Sequence, residues 1–299
     1  MKIVNIIGGL GNQMFQYSFA LSLQSHFPNE EILIDTSHYN YLFIKKWGAA
    51  NLHNGFEVDR VFPHAPLTKA KAKQLLKVTR YIPNYALSRL ARRVLPQKKT
   101  EYIQSVENYF EYTPGVYEIE GNCYYEGIWA SAKFIEPVKD LITEAFMHAA
   151  PDEANSRYVE QMETTRSVGI HVRRGDYLQS PSFKGICDID YYRLAVEKIL
   201  EDGLGHTFFV FSNDHKWCEE NIKPIVGAEN YVAVTGNNGD NSHWDMFLMR
   251  HCKDLIIANS SFSWWGAFLN QRGGRIISPK TWVNRDAVFD IWLPDWIRL

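Results

Sequence analysis

The fold is decided by Ser167–Asp176, SVGIHVRRGD, in which a mostly apolar run passes directly into two arginines, a glycine and an aspartate. The apolar part predicts a β-strand that ends at Val172. Open α/β sheets bind ligands outside the carboxyl ends of their strands, so charged residues at a strand end indicate a binding site. Two forked guanidinium groups suit phosphate oxygens, whereas the alternative is an inter-domain salt bridge to the aspartate. The candidate residues at this end are His171, Arg173, Arg174 and Asp176.

Outward from this stretch, short apolar runs alternate regularly with helical patterns. This alternation predicts an α/β fold with a parallel sheet that is covered by helices on both faces. Strands are predicted at Thr207–Phe211, Tyr231–Val234, Asp254–Ala258 and Arg275–Ile277, and helices at Asp190–Leu200, His215–Ile222, Trp244–Cys252 and Ser263–Asn270.

Two further strand ends of the predicted sheet carry polar residues. Three polar strand ends in one sheet predict a single ligand site. One of them opens a helix whose N–H groups and serine hydroxyls suit an anion, although capping of that helix by a serine explains the pattern equally well. The residues concerned are Asn213 and Asp214 after one strand, and Asn259, Ser260, Ser261 and Phe262 after the other.

The N-terminal stretch MKIVNIIGGLGN predicts a buried strand, a glycine-rich turn and the start of a helix, with a second strand over Glu31–Asp35. The glycines resemble a dinucleotide loop. However, Met14 stands where a third small residue would let helix and strand pack closely, which argues against NAD. The alternative is close backbone approach to a ligand at the glycines, with polar side chains beside them. These residues are Gly9, Gly11, Asn12 and Gln13.

The segment 67–100 contains ten Lys or Arg residues and no Asp or Glu. Its apolar residues suggest helices with one apolar face, interrupted at Pro83. One hypothesis is a solvated helical insertion. The other is a basic face that contacts anionic lipid or a phosphorylated acceptor carrier.

Composition excludes several classes of protein. A chain of 299 residues with a formal net charge of −2 lacks the basic excess of a nucleic-acid-binding protein, and its length favours two domains. Four scattered cysteines and the absence of an apolar stretch of roughly 20 residues lead us to expect a cytoplasmic location. Asp188 and Asp190 have the spacing of a metal-binding DxD, but Asp190 is better interpreted as a helix N-cap with Asp188 near the helix dipole. No metal site is therefore predicted.

Four motifs together resemble one enzyme family. GGLGNQMFQYSFAL, HVRRGDY, FSND followed by Trp217, and DMFLMRHCKDLIIANSSFSWWGAFL occur in the order seen in bacterial α1,2-fucosyltransferases of glycosyltransferase family 11, from Lys2 to about Trp282. The resemblance implies an α/β fold of the GT-B type, with two Rossmann-like domains facing across a cleft. It implies an acceptor-side domain over 1–155, which includes the basic segment, and a donor-binding domain over 156–299. Unlike the animal members, the chain shows no membrane anchor.

The same resemblance implies a reaction. L-fucose would pass with inversion from GDP-β-L-fucose, a substrate rather than a cofactor, to the 2-hydroxyl of an oligosaccharide acceptor, with galactose as the accepting sugar and without a metal ion. By motif position, Arg173 would hold the diphosphate, His171 would lie near the nucleotide and Asp245 would contact guanine. Ser260, Ser261 and Phe262 match a turn that binds the β-phosphate, and Asn12 matches an asparagine in the cleft. Further donor contacts are expected at Gly9, Gly11, Gln13, Arg174, Asn213, Asp214 and Asn259.

The residues leave the general base open among Asp176, His171 and N-domain acids such as Glu126. They also leave rival functions. One is a metal-free GT-B enzyme that uses another nucleotide sugar. A second is a non-catalytic sugar-binding protein, which the aromatic content of 14% favours but which needs no arginine site for a diphosphate. An NAD-dependent reductase is the third.

Overall fold

The computed structural model describes residues 1–39 and 54–299, which form two compact units. Unit 1 contains Met1–Ala149 and Ala287–Trp292, and unit 2 contains Ala150–Asp286 and Leu293–Leu299. The sequence placed the boundary at 155/156 and did not foresee that a C-terminal segment returns to unit 1.

Asp290 fixes this returning segment within unit 1. Its carbonyl accepts a hydrogen bond from the Ala132 N–H (2.7 Å), and its carboxylate accepts one from the Tyr112 N–H (2.9 Å) and pairs with Lys133 (2.7 Å). Contacts of this kind join residues far apart in the chain, so no local sequence pattern predicts them.

Unit 1 is built on a five-stranded sheet in the order β3-β2-β1-β5-β4, with every pair parallel. Its central strand β1 is wholly buried, because helices cover a parallel sheet on both faces. The strands are β1 Lys2–Asn5, β2 Ile32–Asp35, β3 Thr68–Lys69, β4 Glu101–Ile103 and β5 Cys123–Glu126, and the helices are α1 Leu10–His26, α2 Val58–Val61, α3 Ala72–Val78, α4 Tyr85–Val94, α5 Ala132–Ile135 and α6 Lys139–Ala145.

Unit 2 is built on a six-stranded parallel sheet in the order β11-β10-β9-β6-β7-β8. Its strands are β6 Ser167–Val172, β7 Thr207–Ser212, β8 Tyr231–Ala233, β9 Asp254–Ile256, β10 Ile276–Ser278 and β11 Ile297–Arg298, and its helices are α7 Glu153–Thr164, α8 Ile189–Leu200, α9 His215–Asn221, α10 Lys223–Val226, α11 His243–Met249 and α12 Ser261–Phe268. The two parallel sheets confirm the α/β class. The short elements α10 and β11 were absent from the sequence prediction, since so few residues carry no periodicity.

Strand β6 is the centre of unit 2 and is buried along its whole length. Val168, Ile170 and Val172 pack in one apolar cluster with Tyr192 and Ile199 of α8. Burial of each such side chain contributes about 1.5–3 kcal/mol, and a register shift by one residue would reverse which side chains face this cluster. The cluster therefore holds the carboxyl end of β6 in a fixed position.

The basic segment 67–100 contains α3 and α4, which follow β3 and precede β4 along the chain. Leu75 and Val78 of α3 pack against Ile3 and Tyr124, as an apolar helix face predicts. In α4 the predicted apolar face is present, but it faces solvent, because the buried residues are Tyr85, Ser88 and Arg92.

The inward side chains of α4 are held by polar groups at the ends of the sheet strands. Arg92 Nε donates to Glu126 at 2.6 Å, with Arg89 at 3.6 Å from the same carboxylate, and the Tyr85 hydroxyl donates to Asn5 (2.8 Å). The segment is therefore only partly a solvated insertion.

Replacement of Arg92 by Leu is expected to lower the free energy of unfolding by about 3 kcal/mol, because it leaves Glu126 buried with one distant partner. Urea titration followed by far-UV circular dichroism measures the loss. The double variant Arg92→Leu/Glu126→Gln should recover at least half of it, since no buried charge then lacks a partner. An unchanged urea midpoint for the single variant would show that the ion pair does not stabilise unit 1.

Candidate active site

Three polar strand ends meet in unit 2. Strand β6 pairs in parallel with β7 on one side and with β9 on the other, so all three chains leave the sheet at the same edge. The strand order also reverses between β6 and β9, which is the kind of position where α/β sheets bind ligands. The predicted grouping of the residues after β6, β7 and β9 is therefore observed.

Arg173 leaves the end of β6 with a partner in its own loop. Its Nη2 donates to Asp176 at 2.9 Å, and its guanidinium lies 5.6 Å from the centre of the Tyr177 ring. The Tyr177 hydroxyl donates to the carbonyl of Asn259 (3.4 Å), which follows β9. The ion pair is thus local, and a third of the Arg173 side chain remains exposed for an anionic ligand.

Arg174 differs from its neighbour, because it ties the end of β6 to the end of β7. Its backbone N–H donates to Asn213 Oδ1 (3.0 Å), its Nε donates to Asp214 (3.1 Å), and its guanidinium stacks 4.2 Å from the Trp217 ring. Gly175 has a φ of +23°, and a Cβ there would lie 2.5 Å from Asn213 Nδ2, so a larger residue would strain the backbone and displace the Asn213 amide. Arg174, Asn213 and Asp214 were predicted to bind the donor, and the contacts among them connect the residues after β6 and β7.

His171 is buried beneath this loop, with its ring centre 5.8 Å from that of Phe262. Burial, assisted by the Arg173 guanidinium, lowers the pKa of His171 to about 3, so the ring is neutral at pH 7. Its Nδ1 atom has no hydrogen-bond partner among the residues that the structure describes. A neutral imidazole of this pKa can hydrogen-bond a ligand but is a poor general base.

Helix α12 begins at the neighbouring strand end without a side-chain cap. Ser260 occupies the N-cap position, yet its side chain accepts no hydrogen bond from the helix, so the capping explanation of the serines is not observed. The first N–H groups of a helix have no intrahelical partner, and here they start at Ser261 and Phe262. Asn259 is held in place by its amide, which donates to the Trp282 carbonyl (3.1 Å). This end of α12 therefore offers free N–H donors to an anion.

Asp245 belongs to α11, which packs on α12. Its carboxylate accepts a hydrogen bond from Asn237 Nδ2 (2.9 Å), and Asn237 forms a reciprocal amide pair with the buried Asn155 (2.9 and 3.2 Å). Asn155 is held in turn by Asp152. Burial raises the pKa of Asp245 to about 7, which the Asn237 hydrogen bond only partly opposes. The sequence analysis missed both asparagines, because nothing in their spacing links them to Asp245.

The glycine-rich turn of unit 1 is held by its own unit. Gly8 has a φ of +83°, which glycine adopts without strain, and its carbonyl accepts hydrogen bonds from Gln13 Nε2 (3.0 Å) and the Tyr39 hydroxyl (2.6 Å). Gly9 is the N-cap residue of α1, and Gly11 lies in the first turn. The turn is therefore a rigid start to α1.

Gln13 and Asn12 are neighbours with opposite situations. Gln13 is fully buried, with Nε2 donating to the carbonyls of Gly8 and Gly55 (2.8 Å) and Oε1 accepting from the Glu57 N–H (2.8 Å). Both N–H groups of its side-chain amide are used within unit 1, so neither is left for the predicted contact with the nucleotide sugar. The Asn12 side chain is half-buried and makes no hydrogen bond to any residue in 1–39 or 54–299.

The two aspartates with DxD spacing are engaged at the start of α8. Asp188, rather than Asp190 as predicted, is the N-cap residue and accepts from the Tyr191 N–H (3.0 Å), whereas Asp190 pairs with Arg193. Within the described ranges, no three His, Cys, Asp or Glu side chains come together as a metal site would require.

Comparison with known proteins shows the family to which this chain belongs. The model of the family described as Glycosyl transferase family 11 matches residues 1–299. The chain belongs to glycosyltransferase family 11. The O-antigen biosynthesis glycosyltransferase WbnK of Escherichia coli is 30% identical over 98% of both chains, and an α-1,2-colitosyltransferase of Escherichia coli is 29% identical over 99% of this chain and 98% of that one.

Solved structures show the same fold for this family 11 glycosyltransferase. The NodZ α-1,6-fucosyltransferase, in crystals soaked with GDP-fucose, has a TM-score of 0.53 at 14% identity, covering 95% of this chain and 96% of NodZ. The likeness confirms the GT-B class that the motifs implied. At 14% identity this similarity establishes the fold and says nothing about the substrate.

Asn12→Ala and Gln13→Ala are expected to separate function from stability. Gln13→Ala should lower the free energy of unfolding by about 2–4 kcal/mol, because three buried backbone groups lose their partner. Asn12→Ala should leave thermal unfolding unchanged, because its amide is not used within the fold. It should lower turnover, because its motif position predicts contact with the substrate. Melting curves and initial rates of the two variants provide the comparison, and a stable, fully active Asn12→Ala would exclude that side chain from the site.

Together with the guanine contact predicted for Asp245, its raised pKa leads us to expect a pH-dependent affinity for the nucleotide sugar. Only the ionised carboxylate accepts hydrogen bonds from N–H groups on both oxygens, so affinity should rise with pH up to about 7 and then level off. Isothermal titration with GDP-fucose, which has no group that titrates near neutral pH, measures this profile. Asp245→Asn should bind more weakly and show no such rise. A rise that persists in the variant would assign the titration to another group.

Proposed function

We propose that this family 11 glycosyltransferase transfers L-fucose from GDP-β-L-fucose to the 2-hydroxyl of a galactose-containing glycan, with inversion and without a metal ion. The observation that carries the proposal is that Arg173 and the uncapped start of α12 follow two adjacent parallel strands, at the same edge of the sheet. Family membership supports the assignment of this position as a site for a sugar donor. The choice of fucose as the sugar, of guanine as the base and of the 2-hydroxyl as the acceptor position rests on the resemblance of the motifs.

The chemistry needs positive groups at the leaving diphosphate. When the fucosyl–phosphate bond breaks, negative charge grows on the GDP oxygens, while the sugar becomes similar to an oxocarbenium ion. Arg173 supplies a forked cation and α12 supplies oriented N–H groups, both fixed before the reaction. Neutral His171 adds a polar ring without a further charge. In this mechanism these groups stabilise the departing GDP.

The acceptor hydroxyl loses a proton during transfer, and the contacts narrow the choice of base. His171 is too weakly basic, and Glu126 is engaged by Arg92 and Arg89. Asp176 has an exposed carboxylate, although Arg173 shares it. We therefore propose Asp176 as the first residue to replace in a search for the base.

A second donor is favoured by one relative. The α-1,2-colitosyltransferase is similar over nearly the whole chain, and colitose differs from fucose by lacking the 3-hydroxyl. A site that hydrogen-bonds this hydroxyl rejects the deoxy sugar strongly, whereas a site that does not bind it discriminates little. Direct competition between GDP-fucose and GDP-colitose, with UDP-galactose as a negative control, decides between the two sugars.

The purified protein is expected to release GDP and form an α1,2-fucosylated product from GDP-fucose and a β-galactoside in the presence of EDTA. Arg173→Lys should reduce turnover by about 10²–10³, because a point charge replaces a forked donor at the leaving group. Arg193→Lys on the exposed face of α8 is the matched control and should behave as wild type.

Near-normal turnover of Arg173→Lys would remove Arg173 from the mechanism. Dependence on a divalent ion would contradict the metal-free reaction. If GDP binds but no fucosylated product forms with any acceptor in the panel, the donor sugar or acceptor is misassigned. If GDP does not bind at all, the site in unit 2 is not a donor site.

A further inference from the structure

Helix α4 has its polarity reversed relative to an ordinary surface helix. Tyr85, Ser88 and Arg92 are its buried residues. Its solvent side carries Leu87, Leu90 and Val94, which are 50%, 56% and 71% exposed. A helix that covers a protein core normally shows the opposite arrangement.

The exposed apolar residues form one continuous stripe. At about 100° per residue, positions 87, 90 and 94 lie within roughly 60° of one another, and positions 85, 88 and 92 form an equally narrow stripe on the opposite side. Leu95, directly after the helix, and Leu76 of α3 are also exposed, at 47% and 58%. Exposed leucines are common singly, but a stripe of this kind marks a contact surface.

Every charged residue of the segment that carries the stripe is a Lys or an Arg. The segment 67–100 has ten Lys or Arg residues and no acid. Lys73, Lys77 and Arg93 are exposed, and none of them forms an ion pair with a residue in the described part of the chain. An apolar helix face bordered by cations matches the interface of an anionic bilayer, where apolar side chains enter the headgroup region and cations contact lipid phosphates.

A second copy of the chain fits this surface less well, because each of the two facing segments would carry ten basic residues and no acidic residue of its own. Spanning is also not the mode of contact, since no helix in the described ranges is long and apolar enough to cross a bilayer. The remaining mode is a helix that lies in the plane of the membrane surface.

We propose that α4 and its basic neighbours bind this enzyme peripherally to an anionic phospholipid bilayer, with Leu87, Leu90 and Val94 inserted at the headgroup level. Binding needs both parts of the surface. The cations concentrate the protein at the membrane, and the apolar stripe holds it there. This property is independent of the donor and acceptor assignments, since it is measured as binding without any sugar.

The test is flotation of the full chain with vesicles of phosphatidylcholine alone or mixed with phosphatidylglycerol. Wild type should bind the mixed vesicles and not the neutral ones, and binding should weaken as salt rises. The triple variant Leu87→Gln/Leu90→Gln/Val94→Gln should lower the partition coefficient at least about tenfold, because the inserted apolar surface is lost. Its melting temperature should stay at the wild-type value, since these side chains are exposed.

The matched control replaces three exposed leucines of unit 2, Leu194, Leu200 and Leu204, by Gln, and should bind like wild type. Replacement of Lys73, Lys77 and Arg93 by Gln should also reduce binding to the mixed vesicles.

The proposal is overturned if wild type does not bind the mixed vesicles. It is equally overturned if the α4 variant binds as well as wild type, because contact would then be purely electrostatic. Sedimentation of the free protein adds one further outcome. A dimer that the α4 variant abolishes, with no vesicle binding by wild type, would assign the stripe to a second copy of the chain.

Discussion

The parallel pairing of Ser167–Val172 with a strand on each side is the constraint on which unit 2 depends. Because β7 and β9 both run in its direction, their chains must leave the sheet at the same edge. Burial of Val168, Ile170 and Val172 against α8 fixes the register of the strand. The polar residues after the three strands are thereby brought together, although up to 90 positions of sequence separate them.

Within this frame the neighbouring residues have different tasks. Arg174 is stacked on Trp217 and bonded to Asp214 after β7, which orients the loop, while a third of the neighbouring Arg173 side chain stays exposed. Gln13 has the same relation to Asn12 in unit 1. In both places one polar side chain is bonded within its own unit, while part of the adjacent one stays exposed. Such preorganised donors stabilise developing charge without a reorganisation cost during the reaction.

The reversed polarity of α4 has its cause in the same strand ends. Glu126 and Asn5 lie at the carboxyl ends of β5 and β1, and a buried carboxylate and amide need hydrogen-bond partners. Arg92 and Tyr85 therefore face inward, and the leucines on the other side of the helix face outward. The stripe that we propose as a membrane contact is thus partly a consequence of satisfying polar groups in unit 1.

The sequence by itself determined the fold class, the parallel sheets and the grouping of polar residues at β6, β7 and β9, because strand–helix alternation and strand-end chemistry are local patterns. Motif order also indicated the family that the full-length match then established. Only the tertiary structure decided that Arg174 rather than Arg173 is bonded to the residues after β7, and that Gln13 rather than Asn12 is fully buried. It alone showed that Asn237 and Asn155 hold Asp245, that residues 287–292 return to unit 1, and that α4 turns its apolar side outward. These features depend on hydrogen bonds between residues distant in the chain, and such bonds override the hydrophobic periodicity from which a sequence is read.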